Sequence, residues 1–198
     1  MLDWGTSIPQ YISVRGLSLF GPYQWVDNGF EASWHVAFLV ADPYVGVTVE
    51  CVHSNVCVVQ LSSARHCVLL DAIALGDIMH ALLQPLMMHE NIQKVFHGHE
   101  DEVTMLSNEF SIMVPHAQIF DTRTYAGDRL GLTDLDLKEV CAALLHYDLG
   151  ISDKSPDRHQ RPLSAELLHE AAIHVQMLLC LQDACEAWAP WAQATAIG

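Results

Sequence analysis

Two runs of β-branched residues, joined by three polar residues, constrain the fold of this chain more than any other feature. Residues 45–52 (VGVTVECV) and 56–61 (VCVVQL) are rich in valine, which favours extended structure. The residues between them are His53, Ser54 and Asn55, which suit a turn. Because so short a connection joins antiparallel neighbours, the pattern predicts a β-hairpin. Residues 67–73 then predict a third strand that extends the hairpin as an antiparallel meander.

The rest of the chain alternates between helical and strand patterns. Apolar spacing predicts a helix over residues 76–88 and another from Glu102 to Phe110, with short buried strands at 94–97 and 117–120. Further helices follow these strands. Upstream of the hairpin, residues 11–14 predict an edge strand and residues 31–39 a helix. This order predicts an α/β fold in which helices flank a mixed sheet.

Five sequence blocks occur in a specific order along the chain. They are VGVTVE at 45–50, KVFHG at 94–98, IFDT at 119–122, LDLKEV at 135–140 and RPLS at 161–164, the last opening a long helix. Together they resemble the RNase D-like (DEDD) 3′-5′ exonuclease family, and within it the group of Egalitarian and the exonuclease 3′-5′ domain-containing proteins. The resemblance covers about residues 45–185 and implies a ribonuclease H-like sheet flanked by helices. We expect one exonuclease-like domain over residues 1–198, in which 1–44 form an N-terminal extension.

The resemblance also implies where the catalytic groups of such a fold would lie. The family holds two divalent cations with an Asp-x-Glu pair, a second Asp and a terminal Asp, and a Tyr helps to position the attacking water. The corresponding positions here are Thr48, Glu50, Glu102, Glu170 and His174. Only Glu50 keeps the family residue. Mg²⁺ requires octahedral oxygen ligands, which threonine and imidazole replace poorly. We therefore expect the five side chains to meet in one pocket that has no catalytic residues and no bound metal.

Three functions remain open from the sequence. The first is an inactive pseudo-exonuclease that serves as a protein-interaction or scaffold subunit of an RNA-processing complex. The second is a non-catalytic RNA-binding module. The third is an active 3′-5′ exoribonuclease that uses Mg²⁺ or Mn²⁺ in a site rebuilt from Glu50, Glu102, Glu170 and His174. A separate metal site among His97, His99 and the acidic residues 100–102 is a further, weaker alternative.

The charge balance bears on the choice among these functions. Nine Lys and Arg residues stand against 24 Asp and Glu residues, which gives a net charge of −15. A nucleic-acid surface needs basic side chains that displace phosphate counterions, so strong RNA binding by this chain alone is disfavoured. Lys154, Arg158 and Arg161 share one loop and are the candidate nucleic-acid contacts. The acidity favours a basic protein partner that itself holds the RNA, and a homodimer is also compatible.

Composition adds two further expectations. Hydrophobic residues make up 51% of the chain and charged residues only 17%, which predicts an apolar surface that a partner covers. We expect that surface within the first 44 residues or at Trp188–Trp191, although clustered aromatic residues such as Trp25, Trp34 and Phe38 more often pack in a core.

The sequence also allows expectations about the cellular environment of the chain. No apolar run reaches the ~18 residues of a membrane span, and the N-terminus does not resemble a secretory signal. The six cysteines show no metal-ligand spacing, which predicts buried, reduced thiols. The sequence thus predicts an intracellular protein with no membrane partner, and it does not distinguish cytoplasm, nucleus and mitochondrion.

Overall fold

A six-stranded mixed sheet forms the centre of the molecule. The computed structural model describes residues 22–130, 136–150 and 160–195, with side chains for 22–128, 136–150 and 160–187. The strands are β1 (Tyr23–Val26), β2 (Tyr44–Val52), β3 (Asn55–Ser62), β4 (Cys67–Asp71), β5 (Gln93–Phe96) and β6 (Ile119–Asp121). Their order across the sheet is β1-β4-β3-β2-β5-β6. The β2–β3 and β3–β4 pairs are antiparallel, and the other three pairs are parallel.

Seven α-helices surround the sheet within the described residues. They are α1 (Gly29–Leu39), α2 (Ala72–Leu75), α3 (Met79–Met87), α4 (His99–Phe110), α5 (Thr122–Leu130), α6 (Leu137–Leu145) and α7 (Ala165–Thr195). The predicted α/β sheet with flanking helices is therefore confirmed. None of the helices in the described ranges combines the length and hydropathy needed to cross a bilayer.

The predicted hairpin is present and closes through a two-residue loop. Val52 pairs with Asn55, and the loop residues His53 and Ser54 have φ angles of 51° and 68°. Positive φ at both loop positions suits the right-handed twist of the flanking strands. The meander continues into β4, but the prediction that this strand reaches residue 73 was wrong. The side chain of Asp71 accepts hydrogen bonds from the backbone N–H groups of Ile73 and Ala74, so a helix begins at Ala72.

The N-terminal part of the sheet differs from the sequence expectation. Strand β1 pairs in parallel with β4, so the sheet begins at Tyr23, well before residue 45. The helix predicted over 31–39 is confirmed as α1, which Asn28 caps by accepting a hydrogen bond from the Glu31 N–H. The helix predicted over 76–88 is a 3₁₀ turn (Gly76–Ile78) followed by α3. The edge strand predicted at 11–14 lies outside the described residues.

Hydrophobic packing covers both faces of the sheet. On one face, α1, α3 and α4 bury a core that includes Val45, Val47, Leu61, Leu83 and Leu106. On the other face, α7 packs across β1 to β5. Gly46 allows this close approach, because a Cβ atom there would lie 2.7 Å from the Val175 carbonyl oxygen of α7. The long last helix is thereby held against the middle of β2, where the candidate site lies.

Candidate active site

Strand β2 places Thr48 and Glu50 on one face of the sheet, two residues apart. Its pairing with β5 ends at Gly46, so the edge of β2 beyond that point has no strand neighbour on that side. Helix α4 fills the space with the side chain of Glu102. Oε1 of Glu102 accepts a 2.7 Å hydrogen bond from the Thr48 hydroxyl and a 3.3 Å hydrogen bond from the Val49 N–H. Glu102 therefore satisfies a backbone donor at the exposed edge of the strand.

The carboxyl group of Glu102 lies in a low-dielectric environment. Its second oxygen, Oε2, is buried and has no hydrogen-bond partner among the described residues. Burial raises the pKa of Glu102 to about 8, although the hydrogen bonds from Thr48 and Val49 act in the opposite direction. The neighbouring carboxylates Asp121 and Glu50 raise the pKa further. At neutral pH the carboxyl group is therefore mostly protonated and uncharged.

Glu50 is held by two neighbours. Gln60, which lies opposite Thr48 on β3, donates a 2.9 Å hydrogen bond from Nε2 to Oε1 of Glu50. His174 approaches from α7, and its Nδ1 is 3.9 Å from the same oxygen. The side chains of Glu50 and His174 are only 18% and 16% exposed. The Gln60 amide and the His174 imidazole thus lie beside Glu50, the one site position at which the sequence keeps the residue expected for the family.

Four of the five predicted site residues therefore come together: Thr48, Glu50, Glu102 and His174. They derive from β2, α4 and α7, and they are up to 126 positions apart in sequence. Glu170 is half-buried one turn before His174 on α7 and shares its face of the helix. The predicted Glu170–His174 ion pair stays a prediction. Within the described ranges, no three His, Cys, Asp or Glu side chains have the arrangement of a metal site.

His97, in the KVFHG block, and His99, directly after it, both have partners within the fold. Nδ1 of His97 is 2.9 Å from the Thr122 hydroxyl, and that hydroxyl in turn donates to the Phe96 carbonyl. Nδ1 of His99 is within hydrogen-bond distance of the Asp121 carboxylate. These Nδ1 contacts do not test the Nε2 atoms, so the alternative of a metal site at His97 and His99 stays a prediction.

Asp121 is a residue whose role sequence reasoning missed. Its carboxylate accepts hydrogen bonds from the backbone N–H groups of Gly98, His99, Arg123 and Thr124. Burial alone would raise its pKa, but these hydrogen bonds and the His99 ring lower it below the ordinary value. The IFDT block thus joins the start of α4 to the start of α5. A buried strand that ends in Asp-Thr before a helix was the available signal, because Asp and Thr are common helix caps.

Arg161, near the start of the described range 160–195, has a structural role. Its Nε and Nη2 donate to the two oxygens of Asp71 at 2.7 and 2.8 Å, and Nη2 also donates to the Cys57 carbonyl. The guanidinium lies 5.4 Å from the ring centroid of Trp25. These contacts fix the RPLS block to the sheet. Lys154 and Arg158 lie outside the described residues, so the nucleic-acid contacts predicted for all three stay a prediction.

The meeting of Thr48 with Glu102 and of Glu50 with His174 at strand β2 agrees with the matching family model. A family model described as 3′-5′ exonuclease matches residues 23–186, which is most of the chain. The chain belongs to the 3′-5′ exonuclease family. The RNase D-like resemblance of the sequence is thereby confirmed, and the match begins at β1, where the sheet begins.

Individual proteins are also similar to this chain in sequence and in structure. Protein RRP6-like 3 of Arabidopsis thaliana is 29% identical over 177 residues, which cover 84% of this chain and 19% of that protein. The catalytic core of RRP6 from Trypanosoma brucei superposes with a TM-score of 0.77 at 23% identity, over 86% of this chain and 48% of that one. Escherichia coli RNase D gives a TM-score of 0.75 at 20% identity, over 89% and 49% of the two chains. This chain thus spans about a fifth of its curated relative and about half of each of these two structures.

Proposed function

We propose that this chain is a catalytically inactive pseudo-exonuclease that acts as a protein-interaction or scaffold subunit of an RNA-processing complex. The observation that carries the proposal is the hydrogen bond from the Thr48 hydroxyl to the buried carboxyl group of Glu102. In a working member of the family, carboxylates at these two positions would face a pair of cations. Here one of the two groups is a neutral hydroxyl that donates to the other.

The chemistry of the remaining donors supports the same proposal. A pair of Mg²⁺ ions about 4 Å apart needs several carboxylates that are free to ligate and carry negative charge. The Thr48 hydroxyl donates to one oxygen of Glu102, and Thr48 itself supplies no negative charge. His174 offers an imidazole beside Glu50 where an additional carboxylate is needed. The donor set therefore does not fit the two-cation mechanism.

The charge of the chain supports the scaffold role, and the names of similar proteins support an RNA-processing setting. The catalytic core of RRP6 from Trypanosoma brucei and an RNase D that is described as an exoribonuclease involved in structured RNA processing share this fold. With a net charge of −15, the chain is a poor ligand for phosphate backbones on its own. We therefore place its RNA contact on a basic protein partner, and we retain the non-catalytic RNA-binding module as the second candidate.

The catalytic half of the proposal is tested with a 3′-5′ degradation assay. The purified chain is incubated with a 5′-labelled single-stranded oligoribonucleotide in Mg²⁺ or Mn²⁺, with Escherichia coli RNase D as the positive control. We expect no shortened products. A ladder of 3′-shortened products that disappears in Glu50→Gln would overturn the proposal and favour a rebuilt metal site, because a contaminating nuclease would not respond to that substitution. Binding of the intact oligonucleotide without cleavage would favour the RNA-binding module.

A further inference from the structure

Helix α1 carries an exposed aromatic face that the proposed site does not use. Phe30, Trp34 and Phe38 are 86%, 56% and 48% exposed, and they recur every four residues along the helix. The spacing places them in one row on the helix surface. Trp34 and Phe38 are in edge-to-face contact, with ring centroids 4.4 Å apart. The interpretation of these two aromatic residues as core was therefore wrong, and the expected apolar surface within the first 44 residues is present.

A pocket lies next to the 3₁₀ turn that contacts the start of α1. Exposed Ile78 packs against the start of α1, since a Cβ atom on Gly29 would lie 2.6 Å from Cδ1 of Ile78. The preceding residue, Asp77, lines a pocket of about 540 Å³ together with His80, Glu109 and the exposed Ile73. We call the row, Ile78 and this pocket the α1 surface. Single exposed apolar residues are ordinary, but a row of three exposed aromatic residues on one helix indicates a binding surface.

The charges around the α1 surface are acidic. Asp77 and Glu109 are among the residues that line the pocket, which include no Lys or Arg. Asp27 and Glu31 are exposed where α1 begins. At the far end of the helix, Arg65 is paired with Asp42 at 2.8 Å. A ligand of this surface must therefore combine apolar side chains with positive charge.

We propose that the α1 surface binds a basic amphipathic helix of a partner protein. Its apolar side chains would pack on Phe30, Trp34 and Phe38, and a Lys or Arg would enter the pocket beside Asp77 and Glu109. Buried aromatic residues commonly dominate such interfaces, and helices that bind in this way present anchors at helical spacing. RNA is disfavoured because the acidic rim repels phosphate, and a second copy is disfavoured because it carries the same acidic rim. The inference rests on the proposed scaffold role, for which it supplies the docking surface.

The test uses designed peptides as probes of the full chain. The first is a fluorescein-labelled helical peptide with leucine at positions i, i+4, i+7 and i+11 and lysine at most other positions. The second has the same composition in scrambled order, and the third keeps the leucines but replaces lysine with glutamate. We expect saturable binding of the first peptide by fluorescence anisotropy, and at least about tenfold weaker binding of the other two.

Protein variants locate the binding site. Trp34→Ser and the pair Asp77→Asn with Glu109→Gln should each weaken binding at least about tenfold. Met88→Ser and Glu90→Gln alter an exposed apolar and an exposed acidic residue at the far end of α3, and they should leave binding unchanged. Circular dichroism of each variant distinguishes loss of binding from loss of folding.

Several results would overturn this inference. They are equal binding of the ordered and scrambled peptides, binding unaffected by Trp34→Ser, and failure to bind. If light scattering shows a dimer and Trp34→Ser dissociates it, the occupant is a second copy of the chain. If the chain binds an oligoribonucleotide and Trp34→Ser abolishes that binding, the occupant is RNA. Peptide binding by residues 22–198 but not by the full chain would show that residues 1–21 occupy the surface. The degradation assay is independent of these outcomes, so nuclease activity would remove the proposed function without removing the α1 surface.

Discussion

At the scale of single residues, the hydrogen bond from Thr48 to Glu102 distinguishes this site from one built to hold cations. Its carboxyl group is buried, accepts hydrogen bonds from Thr48 and Val49, and lies near other acidic groups. Each of these neighbours has an ordinary structural role. Burial and the nearby acidic groups raise the pKa of the carboxyl group to about 8, although the two hydrogen bonds lower it, so the group is mostly neutral at pH 7.

This protonation makes the contribution of Glu102 to stability depend on pH. Its pKa rises from 4.5 to about 8 on folding, so the native state binds more protons between these values. The stabilising contribution of the neutral acid is fully present below pH 4.5 and is lost as the pH rises through 8. Glu102→Gln removes the titration. The quantity of interest is the free energy of unfolding of the variant minus that of the original chain. We expect this difference to increase by at least about 1 kcal/mol as the pH is raised from 5 to 8.5.

Urea denaturation at several pH values checks the Glu102 prediction. The exposed Glu100 lies on the same turn of α4 and provides the control variant Glu100→Gln. The control should show no comparable change with pH. A constant difference between the Glu102→Gln protein and the original chain at every pH would show that Glu102 does not titrate in this range.

At the scale of secondary-structure elements, the position of α7 on β2 decides whether the site can assemble. Helix α7 carries both Glu170 and His174, and it reaches the sheet only because residue 46 has no side chain. The contact is with backbone, namely the Val175 carbonyl oxygen, which cannot move without moving the helix. The approach of His174 to Glu50 therefore depends on Gly46, which lies on the same strand as Glu50.

Gly46→Ala should separate α7 from the sheet. The new Cβ atom would lie 2.7 Å from the Val175 oxygen and 3.5 Å from Cβ of Leu178. We expect a loss of about 1–3 kcal/mol in the free energy of unfolding, measured in urea. The control is Gly29→Ala, where the close atom is the flexible end of the Ile78 side chain, and its cost should be below about 1 kcal/mol. Equal costs for the two variants would contradict this account of the helix position.

At the scale of the whole molecule, packing against the sheet and among the helices isolates the cysteines from solvent. None of the six cysteines is in a disulfide bond, and five of them are buried: Cys57, Cys67, Cys141, Cys180 and Cys185. Burial raises the pKa of Cys67 to about 11 and those of Cys51 and Cys141 to about 12. The expectation of buried thiols is thus confirmed for five residues, whereas Cys51 is half-buried, and their reduced state stays a prediction.

We expect the folded chain to react slowly with a thiol reagent. At pH 8, a thiol with a pKa near 11 has roughly 100-fold less thiolate than one at the ordinary value of 9.0, and the thiolate is the reactive form. Ellman's reagent should therefore modify all six thiols quickly in urea and at a rate roughly 100-fold lower in buffer. A single thiol that reacts quickly in the native state would contradict this prediction and would point to Cys51.

Local pattern and residue type were sufficient for much of the fold and for the chemistry at the site. Valine-rich runs around a two-residue turn predict the hairpin because strand preference and turn geometry depend on neighbouring residues. The substitutions at Thr48 and His174 are visible in the sequence because a hydroxyl and an imidazole differ from a carboxylate in any setting. The sequence by itself therefore determined the fold class and the residue types that line the site.

Only the tertiary structure decided which distant groups meet and which side chains stay exposed. Arg161 pairs with Asp71 across 90 positions, and Glu102 reaches the Val49 N–H across 53. Trp34 belongs to an aromatic pattern typical of cores, yet it lies on the outer face of α1. The physical reason is that burial, and the pKa shifts that burial causes, depend on every element packed around a group. That environment does not exist until β2, α4 and α7 have come together.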